Sequence, residues 1–248
     1  MTSSGTFSFN PAASDLVLTA FSRCGKSSAE LNPEMLRVAA SEANLQNVEW
    51  GNLGYNLWKQ ETIQFPAAST LVQGVGQYAL PSTTLMITLA WRETSPGVQA
   101  KQVDIIMGPL SAVEYKSITN KLFQGPPTSY WYDRQIIPLM NLWPVPDGAG
   151  PYTGFCQAFT QIQDVVLPGG VTLDAPWRFL DAFTAGLARR LAMHYAPERV
   201  GQPGRPAMGL LGSGLTGEYE RAWQAANTAD AENRPLVIMP DLSGYFRP

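Results

Sequence analysis

Between Ser14 and Gly25 the apolar residues Leu16, Val17, Ala20, Phe21 and Cys24 recur at helical spacing and form one stripe. Ser14 is placed to cap the start of this helix and Gly25 to close its end. A second start is written at Asn32-Pro33-Glu34, where Asn caps, Pro takes the first helical position and Glu complements the helix dipole. Leu36, Ala39, Ala43, Trp50, Leu53 and Leu57 carry its stripe towards Gln60, which predicts about 28 residues and roughly 40 Å. Gly51 and Gly54 weaken that helix near its end.

From Thr62 the period changes. Leu85, Ile87, Leu89 and Trp91 alternate with Met86, Thr88 and Ala90, the spacing of a strand. Lys101 to Met107 reads as another strand, and Ser111 with Glu114 forms a capping box for a short helical turn before Tyr115. Tyr130 to Ile137, Leu139 to Trp143 and Tyr152 to Ile162 read as three further strands, punctuated by Pro138 and the Pro144–Pro151 stretch. Helical spacing returns after Asp174, with Leu180, Phe183, Leu187, Leu191 and Tyr195 on one face. A Gly/Pro-rich stretch, Ala196 to Gly214, precedes a last helix that Thr216 is placed to cap, with Tyr219, Ala222, Trp223 and Ala226 inward.

The order helices, strands, helices predicts an α+β fold: a helical bundle of N- and C-terminal helices with an inserted antiparallel β-meander or barrel and an extended C-terminal tail. The connections look too short for parallel crossovers. The expected divisions are 1–61 (N-terminal helices), 62–168 (antiparallel β region), 169–231 (helices closing the bundle) and 232–248 (extended tail).

Composition narrows the function. Of 248 residues 45% are hydrophobic and 15% charged, against about a quarter charged in an average soluble domain. A surface poor in ions is easier to bury against partners, which favours an assembly protein over a solitary one. The net charge is −3, and the cations are scattered apart from the pair Arg189-Arg190, so gripping nucleic acid through phosphates is not expected. The start MTSSGTFSFN has neither a basic nor an apolar region of a signal peptide, no apolar run approaches the ~20 residues of a membrane span, and no membrane partner is expected. Cys24 and Cys156 read as two buried thiols of a reducing compartment.

Ala20-Phe21-Ser22-Arg23-Cys24-Gly25-Lys26-Ser27 fits the loosest phosphate-loop pattern, with Ala for the first Gly. A phosphate cradle needs a glycine-rich turn between a strand and a helix, whereas this loop holds Phe, Arg and Cys after a helical segment. Gly74-Val75-Gly76 lacks the third glycine of a dinucleotide motif and reads as a turn before Tyr78. His194 is the only histidine, which excludes multi-histidine metal sites, and it falls where it can serve a helix C-terminus. Asp133, Asp147, Asp164, Asp174 and Asp181 lie near turns or helix starts, where Asp caps. Gly212-Ser213-Gly214 lacks the fuller nucleophile-elbow pattern. No enzyme activity, no metal and no cofactor are therefore expected. Tyr130, Trp131, Tyr132 and Trp143 on neighbouring strands read as core with one packed outer face, and any that point outward are candidate subunit contacts.

Several stretches in this order resemble the head-to-tail adaptor, or connector, proteins of short-tailed bacteriophages. They are the helix after Asn32-Pro33, the segment Gly125-Pro126-Pro127-Thr128-Ser129-Tyr130-Trp131-Tyr132-Asp133-Arg134-Gln135, Leu139–Trp143 running into Pro144-Val145-Pro146-Asp147, the start Asp174-Ala175-Pro176-Trp177 leading to Leu187-Ala188-Arg189-Arg190-Leu191-Ala192, and Pro240-Asp241-Leu242-Ser243-Gly244-Tyr245. The likeness runs from about residue 14 to the end. It implies a structural virion protein of the neck or tail, assembled in the host cytoplasm as a homo-oligomeric ring, commonly a dodecamer, beneath the portal. It also implies a tail or nozzle protein on the other side and genomic DNA passing through the lumen during ejection without specific binding. An anionic wall suits that passage. The family often docks its C-terminal segment on the portal; here that maps to Leu236, Val237, Ile238, Met239, Leu242, Tyr245 and Phe246, with packing on the same subunit as the alternative. Two other readings stand beside it: another tail or neck component (a tube or fibre-attachment subunit), and a P-loop nucleotide-binding enzyme acting through Lys26.

Overall fold

The computed structural model describes residues 9–54, 57–98, 101–167, 170–203 and 212–230. In chain order its elements are α1 (Ala13–Arg23), α2 (Pro33–Asn52), β1 (Gln60–Phe65), β2 (Gln77–Ala79), β3 (Thr84–Thr94), β4 (Val103–Pro109), α3 (Ala112–Ser117), β5 (Ser129–Asp133), β6 (Leu139–Trp143), β7 (Tyr152–Thr160), α4 (Leu180–Tyr195) and α5 (Gly214–Asp230). They divide into two compact units, Ala40–Ala175, and Met1–Ala39 with Pro176–Pro248.

In the helical unit α1 packs on α4, and α4 on α5. Phe21, Phe183, Leu187 and Leu191 are fully buried there, as the helical stripes predict, and Phe179, just before α4, is buried with them. α1 begins one residue before the expected cap: Ala12 holds the cap position in extended backbone, without a side-chain bond. Its end follows the expectation. Gly25 has φ +81°, Gly25 N–H donates to Ser22 O at 2.9 Å, and Lys26 N–H donates to Phe21 O at 3.0 Å, which together satisfy the last carbonyls of the helix. Arg23 pairs with Asp181 at 2.6 Å, and Arg199 Nη1 donates to Arg23 O at 3.3 Å. α5 starts at Gly214, so Thr216 lies inside it; its hydroxyl donates to Val200 O at 2.7 Å instead of capping.

α2 starts as read, with Asn32 Oδ1 accepting from Met35 N–H at 2.8 Å. It stops at Asn52, beside the two glycines, and not at Gln60. Its buried positions are Met35, Ala39, Ala43, Gln46, Asn47 and Trp50, whereas Leu53 is 53% exposed. In the β unit, Asn44 Nδ2 donates to Val165 O at 3.3 Å and Asn44 Oδ1 accepts from Val165 N–H at 2.7 Å, so this side-chain amide holds the strand-like segment after β7 as a backbone neighbour would.

The sheet corrects the expected architecture. The fold is α+β, but a bundle of N- and C-terminal helices around an inserted antiparallel meander or barrel is not what forms. The helices are interspersed: α2 runs from one unit into the other and α3 lies between β4 and β5. The seven strands form a curled half-barrel in the order β1-β7-β3-β4-β5-β6-β2, neither sequential nor closed. One pairing is parallel, β4 to β5 at Gly108↔Ser129 and Pro109↔Tyr130. The connection Leu110–Thr128, which contains α3, is long enough for that crossover. Alternation reveals which face a residue takes but not which strand is its neighbour.

β3 pairs with β7 from Thr84↔Thr160 to Thr94↔Tyr152, with register shifts between Thr84 and Met86 and between Ile87 and Leu89. These irregularities move Ala90 and Arg92 into the buried set and leave Leu89 37% exposed. The core of this unit gathers Phe65, Leu80, Ala90, Met107, Tyr130, Met140, Leu142 and Cys156. Gly154 permits it: a Cβ there would stand 2.5 Å from the Phe65 ring. The expected docking tail, 232–248, lies outside the described residues.

The end of α1 is sensitive to a single atom. A Cβ at Gly25 would meet the Arg199 guanidinium at 2.7 Å in a left-handed backbone. Gly25→Ala is expected to cost about 1–2 kcal/mol, read as a lower urea midpoint at unchanged slope.

Candidate interaction surface

The four aromatic residues singled out from sequence are brought to neighbouring strands β5 and β6, mostly packed within their own unit. Tyr130 is 5% exposed and belongs to the core. Tyr132, on the same side of β5, donates its hydroxyl to Thr84 O at 2.9 Å. Trp131 points to the other side, where its ring lies 5.1 Å from Tyr115 and 5.8 Å from the Lys116 ammonium. α3 delivers both partners, and it starts where the capping box was read: Ser111 Oγ accepts from Glu114 N–H at 3.2 Å while Glu114 Oε2 accepts from Ser111 N–H at 2.7 Å. Trp143 donates its indole N–H to Asn120 O at 3.2 Å and sits 6.5 Å from the Phe123 ring. Burial pushes the Tyr115, Tyr130 and Tyr132 phenols above their ordinary pKa, so they stay neutral.

The outward surface lies beside these rings. A groove of about 260 Å³ is lined by Ile87, Pro109, Leu110, Trp131, Tyr132 and Arg134. Arg134, whose guanidinium stands 6.0 Å from the Tyr132 ring, also lines a second groove of about 390 Å³ with Leu53, Leu85, Met86 and Phe159. The loop that follows exposes Ile136 at 93% and Ile137 at 61%. Apolar walls around one cation suit a protein surface offering apolar side chains and a carboxylate. Sequence reasoning placed Ile136 and Ile137 inside a strand; Pro138 directly after them was the available sign that the strand had ended.

The other candidate groups have local structural partners. Residues 20–27 run from the last turn of α1 into a helix-ending turn, not from a strand into a helix. Lys26 stands 3.9 Å from Glu30, and Ser27 Oγ accepts from Ala29 N–H. Gly74 N–H donates to Pro146 O and Gly76 O accepts from Leu142 N–H, which makes the Gly74-Val75-Gly76 stretch the turn leading to β2. His194 is in the last turn of α4, its ring 5.9 Å from that of Tyr195. Asp174 pairs with Lys59 at 3.1 Å and Glu61 pairs with the same ammonium at 3.4 Å. Burial lowers the Lys59 pKa, but those two carboxylates more than offset it and hold it above the ordinary value. Asp133 and Asp147 accept from Gln135 and Ala149 N–H, and Asp164 lines a small cavity of about 70 Å³ with Asn47. Ser213 Oγ accepts from Gln202 N–H. Among the described residues no three His, Cys, Asp or Glu side chains are grouped to hold a metal, and no helix is long and apolar enough to cross a membrane.

A scan against protein-family models and a search of curated proteins each found no match for this chain.

The two cysteines are buried and unpaired with each other. Cys24 Sγ lies 3.1 Å from Ala188 O, and burial pushes its thiol up to about 11, against a smaller lowering by Arg199. Burial alone pushes Cys156 up to about 12. Both are expected to ignore a maleimide at mildly alkaline pH and to react after denaturation, read by mass spectrometry. Because each folded value lies above the ordinary 9.0, the stabilisation is whole below about pH 9 and is lost as pH climbs towards the folded values.

Proposed function

We propose that this chain is a non-enzymatic structural virion protein, a head-to-tail adaptor whose copies form a ring between the portal and the tail or nozzle protein of a short-tailed bacteriophage. The observation that carries the reading is the amount of apolar side chain presented to solvent by a chain with 15% charged residues: Ile136 at 93%, Val113 at 78%, Leu122 at 77% and Ile106 at 67%. Where such residues adjoin, as Ile136 and Ile137 do, they support a surface covered by partner protein. The order of the resembling segments supplies the identity of the assembly, and the net charge of −3 suits a lumen that DNA crosses without sticking. In this reading 236–248 is the portal-docking tail and the neck of the virion is the site of action. A second reading, another tail or neck component, shares the exposed apolar surface and differs only in its position in the particle. The nucleotide-binding alternative is disfavoured, because Lys26 follows the end of a helix.

The deciding experiment is co-sedimentation of the purified chain with portal rings from the same source. Near-equimolar binding is expected; a folded chain that leaves intact portal rings bare overturns the reading. Removal of residues 236 to 248 is expected to leave a folded subunit that no longer joins the portal, and binding at unchanged affinity would refute that mapping.

A further inference from the structure

The four strands β1-β7-β3-β4 are joined by antiparallel pairings throughout, and both outer strands keep a free edge. β1 pairs only with β7, along Gln60–Phe65. β4 pairs with β3 along Val103–Met107 and meets β5 only beyond that stretch, at Gly108 and Pro109. Among the described residues, no other strand covers the outer side of 60–65 or of 103–107.

The β4 edge lacks the protection that solvent-facing edges ordinarily carry. Natural edges are blunted by lysine, proline or a bulge. Val103-Asp104-Ile105-Ile106-Met107 holds one charge and no proline, pairs with β3 without a register shift, and exposes Val103 at 54%, Ile105 at 36% and Ile106 at 67%. The β1 edge is its complement in polarity: Gln60, Glu61 and Thr62 are exposed, Ile63 and Gln64 half-buried, and the nearest proline, Pro66, follows the strand.

We infer that β4 of one copy pairs edge to edge with β1 of the next, so that the sheet continues antiparallel from subunit to subunit. Direction and faces agree with this. Strands alternate across the four, so β1 runs opposite to β4, and a second copy in the same sheet orientation sets its β1 antiparallel to β4. The registers align Ile106 with Trp91, Trp91 with Phe155, and Phe155 with Gln64, on one face of the sheet. Trp91 and Phe155 stack there at 5.7 Å and 18°. Ile106 is the exposed end of that row, and a neighbour's Thr62 or Gln64 completes it. On the opposite face Ile105 receives the neighbour's Ile63. The pairing joins two different edges, so each copy keeps one free edge for the next; such a head-to-tail contact closes into a ring when the rotation between copies closes and otherwise runs on as a filament, whereas β4 on β4 would stop at two copies. The inference rests on the self-assembly part of the adaptor reading and is independent of the portal.

The test mixes full-length T62C and I106C chains, one carrying a mass tag, under mild oxidation, with Q64C replacing T62C to cover a shift of two residues. Cys24 and Cys156 stay in place, buried. A disulfide between the unlike chains, in excess of either homodimer, is expected. I106K, at an exposed edge position, is expected to keep its far-UV spectrum and to weaken self-association by about tenfold or more in sedimentation. Dominant I106C homodimers, a chain monomeric at every concentration with and without portal rings, or assembly indifferent to I106K each overturn the inference. Equimolar binding to portal rings without the mixed disulfide sinks the edge pairing and leaves the adaptor reading; the mixed disulfide without portal binding does the reverse.

Discussion

The pairing of β3 with β7 holds the β unit together. It joins the longest strand to the last one and runs the full length of both, from Thr84↔Thr160 to Thr94↔Tyr152. At the centre of its buried side the side chains are small: Ala90, Cys156 and Ala158 are each 0% exposed. The small profile lets Phe65 and Met107 close over the centre, and at Gly154 there is no room for even a methyl group. A close-packed interior leaves few alternatives to such a fit. β1 and β4 are then fixed as flanking strands, and the strand order follows from which chains reach this central pair.

Polar side chains do the work of connecting irregular segments to that frame. Asn44 satisfies both backbone groups of Val165, and Asn47 donates to Gln163 O. Lys59, 13% exposed, is held between Asp174 and Glu61, which ties the strand entry to the segment that leaves the unit. Arg92 is buried at 7% with its guanidinium 5.1 Å from the Tyr152 ring, where an aromatic face takes the place that a carboxylate would otherwise fill.

Local signals were legible and neighbours were not. Asn32, Gly25 and the Ser111–Glu114 box act where their chemistry places them, because caps are satisfied within a few residues. The strands at Leu85, Lys101, Tyr130, Leu139 and Tyr152 exist: β6 keeps its expected bounds, β3 runs further at both ends, β4 is shifted by two residues, and β5 and β7 end earlier. What alternation could not carry was the order of the strands, the parallel step after α3, or the irregularities in β3 that exchange Leu89 for Ala90 and Arg92 at the core. The α2 stripe was misjudged because the polar Gln46 and Asn47 are buried, Asn47 donating to Gln163 O, which hydrophobic periodicity does not register. At the aromatic cluster, Trp131 and Trp143 spend their outer sides on Tyr115 and Phe123, partners that sequence spacing did not connect to them.

The tie between Arg23 and Asp181, with Arg199 on the Arg23 carbonyl, has a consequence for how the protein is made. The helical unit is built from segments on either side of the β unit, and contacts of such sequence separation form late. During synthesis α1 emerges before its packing partner α4, which is complete only once Tyr195 has left the ribosome. Until then its stripe of Leu16, Val17, Ala20 and Phe21 waits uncovered, while every strand of the sheet has already been delivered. Translation order thus leaves the nascent chain with a completed sheet and an open apolar helix, a stage at which chaperone engagement or premature self-association would be decided.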